Sequence, residues 1–292
     1  MKESMEQVYR KYKGLMFSLA YQMTGSVAEA EDIVQETFVA LADANINDIL
    51  HVKSYLCKAV TNRCLDTLKS ARWKREQYVG EWLPEPLFDD RGAHDPLHAV
   101  IAEESVSYSL LVLLDTLSPA ERAVYVLRTA LDLEYRAIAE MLDKTEASCR
   151  KLYSRAQQRL KASGLPQNTV PARSRKLIEQ LIQAISRADA TALVQLLTED
   201  AVLISDGGGK ARAALRPIFS GKRVAAFWLG VWPKWADHSA IEIRSINGED
   251  GIAVYSQGEL KVTIQLRLSQ EKDRIERMYM IVNPEKLAHL QK

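Results

Sequence analysis

The 292-residue chain has little of what would staple it, anchor it or build a metal ribbon. Its three cysteines, Cys57, Cys64 and Cys149, form no CxxC pair and are odd in number. That argues against a disulfide framework or zinc ribbon and suits a reducing compartment. Cys57 and Cys64 fall a heptad apart on one expected helix and read as small buried apolar residues. No apolar run approaches the length of a membrane span, and the N-terminus lacks a signal-peptide core, so a cytoplasmic protein with no membrane association is expected. There is no internal repeat and no low-complexity tract. The glycine run in Asp206–Lys210 lacks the spacing of a Walker loop and a following Ser or Thr, which removes the phosphate-cradle reading. What remains is a chain with 47% hydrophobic and 26% charged residues, enough to bury cores in roughly two domains. Its formal net charge of +1 averages strongly opposed segments.

Those segments follow one another along the chain. Val8, Tyr12, Leu15, Met16, Leu19 and Met23 recur at helical spacing and stop at Thr24-Gly25. Ser26 then caps a second helix, with Glu29 completing a capping box. Ile33, Val34, Phe38 and Leu41 point inward on that helix. Its other face is acidic, since residues 24–50 hold six Asp/Glu and no Lys/Arg. A third helix, from about Val52 to Arg75, carries seven Lys/Arg against Asp66 alone. An acidic face repels phosphates and suits a protein partner, whereas the basic helix suits nucleic acid. Tyr55, Trp73 and Tyr78 lie beside these cations, as residues do on which single-stranded bases stack. For Trp73 an ordinary core position remains open. Residues 76–104 then reverse the sign again, with eight Asp/Glu against one Arg and with Pro84, Pro86, Pro96 and Gly92 breaking any helix. Extended, this linker spans up to roughly 90–100 Å, so it sets no rigid distance between its flanking units. His94 and His98 have the spacing of helix ligands but sit in proline-flanked linker without a third ligand, and read as solvated. No metal or cofactor is expected.

Ser118-Pro119-Ala120-Glu121 is a capping box with proline at the first helical position. Behind it come apolar Val124, Leu127 and Leu131, a second short helix over Leu133–Leu142, a turn at Asp143-Lys144, and Thr145 as N-cap of a third helix to about Leu160. Cys149, Leu152, Ala156 and Leu160 share one side of it. Ser148, Arg150, Lys151, Ser154 and Arg155 lie elsewhere and early. This is the helix-turn-helix arrangement, in which early residues of the last helix reach base edges in the major groove. Residues 144–161 carry six Lys/Arg against one Glu, as phosphate neutralisation requires. Taken alone, a basic amphipathic helix on a solvated surface reads equally well.

After Gly164–Asn168 and Pro171 the grammar changes. Helices are expected at Arg173–Ala188, Thr191–Leu197 and Arg223–Val231. Strands are expected at 201–204, 240–246, 251–256, 259–268 and 274–282, with turns at Asn247-Gly248, Asp250-Gly251 and Gln257-Gly258. Helices followed by an antiparallel meander describe an α+β domain whose curved sheet wraps on helices.

The stretch from Ala20 to Phe38 resembles the polymerase-binding part of sigma region two in extracytoplasmic-function sigma factors. Thr61–Leu68 resembles that family's promoter-melting helix, and Lys144–Leu160 resembles sigma region four. Three further motifs are similar to signatures of the group with a fused SnoaL-like C-terminal domain: Trp82-Leu83-Pro84-Glu85-Pro86, Asp206-Gly207-Gly208-Gly209-Lys210, and Asn283-Pro284-Glu285-Lys286-Leu287. Glu285 stands where the group usually has Asp. Asp143 and Cys149 replace the Gly and Val common in sigma factors generally. The resemblance implies a multidomain chain: sigma region two as a three-helix bundle (1–75), an acidic linker (76–102), a region-four helix-turn-helix (103–163), a short linker (164–172), and an α+β SnoaL-like, NTF2-like curved-sheet cone (173–292). It implies a non-enzymatic alternative sigma factor. Asp32, Gln35 and Glu36 would bind core RNA polymerase, and Asn62, Arg63, Lys69, Arg72, Trp73 and Lys74 would handle the melted promoter element. Ser148, Arg150, Lys151, Ser154 and Arg155 would read duplex promoter DNA. The C-terminal domain would regulate in cis and leaves room for an unidentified small ligand.

Two rivals remain at this point. An isomerase- or cyclase-like enzyme would need a general base inside the cone, for which Asp206 and His238 are the candidates, although Asp206 beside three glycines also suits a turn. A one-component helix-turn-helix regulator with a ligand-binding domain is the other, and it has no need of an acidic protein-binding helix. One expectation goes further. The apolar start of the linker, residues 82–87, docks on the loop 206–210 and the segment 283–287, with Lys210 or Lys286 pairing with Glu85.

Overall fold

The computed structural model describes residues 4–43, 49–89, 106–164, 171–234, 239–269 and 274–291, with the backbone alone at 43, 71–76, 171–174 and 234. Two compact units emerge. One comprises Met1–Glu76, Asp90–Val106 and Leu110–Leu165; the other comprises Gln77–Asp89, Ser107–Ser109 and Pro166–Lys292. Among the described residues no helix is long and apolar enough to cross a membrane.

The first unit is helical. Ser4 and Gln7 form a reciprocal capping box that starts α1 (Met5–Thr24), and Gly25, at φ 72°, ends it with its N–H on the Tyr21 carbonyl. Ser26 Oγ accepts the Glu29 N–H at 3.3 Å and opens α2 (Val27–Asp43). The long α3 (Val52–Glu76) closes a three-helix bundle. Val8, Met16, Leu19 and Met23 of α1 are buried with Ile33, Val34, Phe38 and Leu41 of α2, and with Leu56, Cys57, Val60 and Cys64 of α3. The periodicity identified the inward face of α2, where a single stripe leaves water, whereas α1 is buried on every side from Met16 to Thr24 and its Tyr12 and Leu15 are only half-buried.

After α4 (Tyr108–Leu114) come α5 (Pro119–Thr129), α6 (Tyr135–Leu142) and α7 (Glu146–Ala162). Two boundaries differ from the sequence reading. Leu131 lies beyond α5, and α6 starts at Tyr135, after Asp132 has turned the chain at φ 49°. The two helical groups also share one compact unit, which a freely spanning linker would not require. Arg122 of α5, buried, joins them: its guanidinium donates to the Met23 carbonyl at the end of α1 (2.7 Å), to the Leu114 carbonyl (2.8 Å) and to the Asp115 carboxylate (2.6 Å).

The second unit holds α8 (Pro171–Ser186), α9 (Ala190–Leu196), α10 (Gly221–Val231), α11 (Pro284–Leu287) and a six-stranded sheet. Its strands are β1 (Leu197–Asp206), β2 (Ile218–Phe219), β3 (Ser239–Ile246), β4 (Glu249–Ser256), β5 (Glu259–Leu268) and β6 (Ile275–Ile281), in the order β2-β1-β6-β5-β4-β3. The meander β3 to β6 is antiparallel as expected. β1, however, pairs parallel with β6, a contact that no local pattern announces. Asn247-Gly248 and Gln257-Gly258 turn with positive φ at both positions, the geometry that matches strand twist in two-residue hairpins. Asp250-Gly251 is not a turn. It lies within β4, where a Cβ on Gly251 would meet the Ile246 side chain at 2.8 Å, so the glycine serves close packing. Leu181, Ile185, Leu193, Ile264 and Met278 belong to one buried apolar cluster with the fully buried Trp228, whose indole N–H points at the Met278 sulfur, 3.4 Å away. The interior of the curved sheet is thus filled by side chains.

Candidate functional site

On α2, Asp32, Gln35 and Glu36 are all exposed while their neighbours Ile33, Val34, Thr37 and Phe38 are buried. The helix period alone produces this division. One correction concerns its charge: Arg63 of α3 approaches the Glu36 carboxylate at 3.6 Å, so this face is not free of cations and Arg63 is partly engaged. Both side chains are solvated, and such a pair contributes about 0–1 kcal/mol, so either partner is easily redirected. Beside the acidic face the sequence reading missed an apolar groove of about 440 Å³ lined by Tyr9, Lys13, Phe17, Phe38 and Val39. Tyr9 packs edge-on to Phe38 at 4.9 Å, and Val39 is 57% exposed. An exposed valine within an amphipathic helix was the available signal.

Along α3, Asn62 and Lys69 are exposed, Lys69 pairing with Asp66 at 2.8 Å, and Tyr55 is half exposed. The side chains of Arg72, Trp73 and Lys74 lie outside the described residues. So do His94, His98 and His238. Tyr78 is a correction: it belongs to the second unit and has partners there, described below, instead of continuing the aromatic set of α3.

The helix-turn-helix is built by caps. Asp143 takes the left-handed conformation (φ 51°) that ends α6, and Thr145 Oγ1 accepts the Ser148 N–H at 3.2 Å to begin α7. Cys149, Ala156 and Leu160 are buried and Leu152 is half-buried, which turns Arg150, Lys151, Ser154 and Arg155 to solvent, with Ser148 half-buried. Arg150 pairs with Glu146 at 2.8 Å and lies over the Tyr135 ring at 4.7 Å. Arg159 reaches the buried Glu121 at 3.0 Å. Burial opposes charge on Glu121, yet the Ser118 hydrogen bonds and the Arg159 guanidinium hold its carboxyl below the usual range. The α5 capping box and the last helix are therefore tied together.

Within the second unit the linker start forms a docked strap. Asp206, fully buried at the end of β1, accepts from the Tyr78 hydroxyl (2.5 Å), the Leu83 N–H (2.8 Å) and the Lys286 ammonium (2.7 Å). Lys286 also donates to the Leu83 carbonyl and lies 4.1 Å from the Trp82 ring centre. Burial and then the Asp206 carboxylate push the Tyr78 phenol well above its ordinary value. Leu83, Pro84, Pro86, Leu87 and Phe88 are buried, while Glu85 stays partly exposed. Further along, Leu87 and Asn247 exchange bonds of 3.0 and 2.9 Å, and Asp89 accepts from Ser245 and from the Gly248 N–H. The Tyr108 hydroxyl caps the Pro84 carbonyl at 2.6 Å. Gly208 and Gly209 have positive φ, and a Cβ on Gly208 would stand 2.3 Å from the Asn283 amide and 2.9 Å from the Tyr78 hydroxyl. Asn283 in turn donates to Tyr78 at 2.9 Å.

The expected docking of 82–87 on these two segments is present. Lys286 pairs with Asp206 and Lys210 with Glu285, two pairs that the sequence reading did not name. Asp206 is neither a turn residue nor a free base. It is the acceptor around which the strap is organised.

Comparison with known proteins agrees with this arrangement. The sigma-70 region 2 family matches residues 8–74 and the sigma-70, region 4 family matches residues 107–160. The chain is 35% identical over 243 residues to the ECF RNA polymerase sigma factor SigJ of Mycobacterium tuberculosis, spanning 81% of this chain and 76% of that protein. It is 28% identical over 284 residues to the probable ECF RNA polymerase sigma factor SigI of the same species, spanning 97% and 94%. The crystal structure of the M. tuberculosis factor SigJ superposes with a TM-score of 0.77 at 28% identity, covering 96% of this chain and 97% of that one. Helical regions two and four, followed by a mixed-sheet domain, are thus shared along nearly the whole length, and the chain belongs to the extracytoplasmic-function sigma factors of RNA polymerase, in the group with a SigJ-like C-terminal domain.

Proposed function

We propose that this alternative sigma factor joins core RNA polymerase through Asp32, Gln35 and Glu36 and is regulated in cis by its C-terminal domain through the docked strap. Asn62, Arg63, Lys69, Arg72, Trp73 and Lys74 would handle the melted promoter strand. The early face of α7, with Ser148, Arg150, Lys151, Ser154 and Arg155, would read the upstream box as duplex. The protein would work in the cytoplasm, where its polymerase is. A one-component regulator would not need the acidic face of α2, and the family assignment gives that rival no support.

The observation that carries the regulatory reading is the buried Asp206–Lys286 pair closed on Leu83. Residues 77–89 follow α3 directly, and their docking withholds roughly 40–45 Å of contour from the linker between the two sigma regions. Arg122 supports a closed state of the same kind, because it fastens the end of α1 to the start of the region-four helices. Reading two promoter elements at once would require that fastening to release on polymerase. The experiment is promoter-directed transcription with purified core enzyme. The wild-type chain should confer it, and the double reversal Asp32→Lys/Glu36→Lys should abolish both transcription and copurification with core. Wild-type core affinity in that variant would refute the assignment of α2.

A further inference from the structure

One cavity of the second unit has no role in the functions above. It measures about 520 Å³, within the size range of small-molecule sites. Its walls are apolar: Leu260 and Val262 of β5, Val254 of β4, Val282 after β6, and Leu287 of α11. Val254, Val262 and Val282 also belong to the buried apolar cluster that contains Trp228, so the cavity borders that filled interior. Four consecutive residues, 259–262, line it, which regular alternation of side chains between faces would not supply. The register shift in the β4–β5 ladder, where Val254 faces Val262 but Tyr255 faces Leu260, inserts one extra residue, Lys261. Bulges of this kind re-aim side chains next to binding sites.

The charges stand only at the mouth. Lys261 pairs with Glu259 at 2.5 Å, and both are exposed. Arg212, also exposed, forms no ion pair among the described residues. The titratable groups lining the cavity are thus at its rim, with an apolar floor beneath, an arrangement that binds and does not catalyse. The position of the site gives it a second property. Ala211 and Arg212 directly continue the loop whose Gly208 and Gly209 meet Tyr78 and Val79, while Pro284 and Leu287 flank Lys286, which holds Leu83. The cavity and the strap lie against the same two short segments.

We infer that this cavity binds a small amphipathic organic anion, its apolar body on the valine and leucine floor and its anionic end at Arg212, and that occupancy is linked to docking of residues 78–83. A ligand that shifts either shared segment has a differential interaction with docked and undocked states, which is the condition for linkage. The linkage, though not the binding, rests on reading the strap as the regulatory contact.

Calorimetry on the full chain tests the binding, with decanoate below its micellar concentration and decyltrimethylammonium as the probe of opposite charge. Decanoate should bind saturably, one per chain, and the cationic probe should not. Arg212→Glu should weaken decanoate by about tenfold or more. Val262→Trp and Ser256→Trp fill the cavity from its floor and its rim, and each should remove binding, with circular dichroism confirming the fold. Absence of saturable decanoate binding, equal binding of the cation, or wild-type affinity in a folded tryptophan variant overturns the site. Hydrogen exchange at the Leu83 amide should change several-fold on saturation with decanoate, and an unchanged rate overturns the linkage. Neither measurement involves polymerase, so promoter-directed transcription judges the regulatory reading independently.

Discussion

Replacing Asp206 by asparagine keeps the volume of the side chain but removes the charge that neutralises Lys286. The carboxylate is fully buried and the lysine side chain is only 7% exposed, so the ammonium would lose this buried counter-charge while keeping the Leu83 carbonyl and the Tyr78 and Trp82 rings beside it. Removing one partner of a buried pair costs about 3–5 kcal/mol, well above what a surface pair contributes. The chain can avoid most of that cost by releasing the strap at its Tyr78–Leu83 end, where Asp206 holds it. The far end is fastened separately, by the Leu87–Asn247 bonds and by Asp89 on Ser245 and Gly248. Amide exchange should therefore accelerate at Leu83 by about 100-fold or more, because each 1.4 kcal/mol is a factor of ten. Exchange at Leu87 should change far less. Lys286→Met should do the same by stranding the carboxylate, whereas the double variant Asp206→Asn/Lys286→Met, with no unpaired charge, should be much milder than the sum of the two. Promoter-directed transcription should differ from wild type in both single variants, while DNA binding by the helix-turn-helix is unchanged. Leu83 exchange within a few-fold of wild type in Asp206→Asn, or strict additivity in the double variant, would refute the reasoning.

Arg122→Met removes three donated bonds from a buried site and strands the Met23 and Leu114 carbonyls, so it should destabilise the helical unit by about 3–5 kcal/mol, read from its urea midpoint. Arg150→Ala and Arg155→Ala should each weaken promoter binding by about 1–3 kcal/mol where they meet base edges, and unchanged upstream footprints in both would exclude α7 as the reading helix. Burial raises the Cys57 thiol from 9.0 to about 11. The folded state holds that proton more tightly than the unfolded chain, so this contribution is complete below pH 9 and is lost as pH rises toward 11, by roughly 2–3 kcal/mol at about 1.4 kcal/mol per pH unit. Denaturation across that window should be measurably flatter in Cys57→Ala, and an identical slope would show that the thiol does not titrate as described.

Much of the helical unit was legible because its causes are local. Ser26, Ser118 and Thr145 announce helix starts by accepting backbone N–H bonds three residues on, and the apolar period selects the faces that bury. The alternating charge of α2, α3 and the linker was likewise readable from composition. Legibility failed wherever a partner lies far along the chain. Tyr78 reads as one more aromatic beside a basic helix, yet its hydroxyl meets Asp206, 128 residues away. Asp206 beside glycines reads as a turn, yet it is the acceptor at the centre of the strap. Glu36 and Arg63, on separate helices, gave no sign that they would approach each other.

The sequence by itself determined the helices and their caps, the hairpins with positive φ at Asn247-Gly248 and Gln257-Gly258, the exposed positions of Asp32, Gln35 and Glu36, and the three motifs that meet in the second unit. Only the tertiary structure decided the parallel β1–β6 pairing, the partner of each lysine in the dock, the bulge at Lys261 and the cavity it lines. Helix caps, periods and turns depend on interactions within a few residues, so they are written in the local string. Pairing between distant segments is chosen by which groups can be desolvated together. For Asp206 that choice brings one carboxylate within reach of a phenol, an amide and an ammonium from three separate parts of the chain.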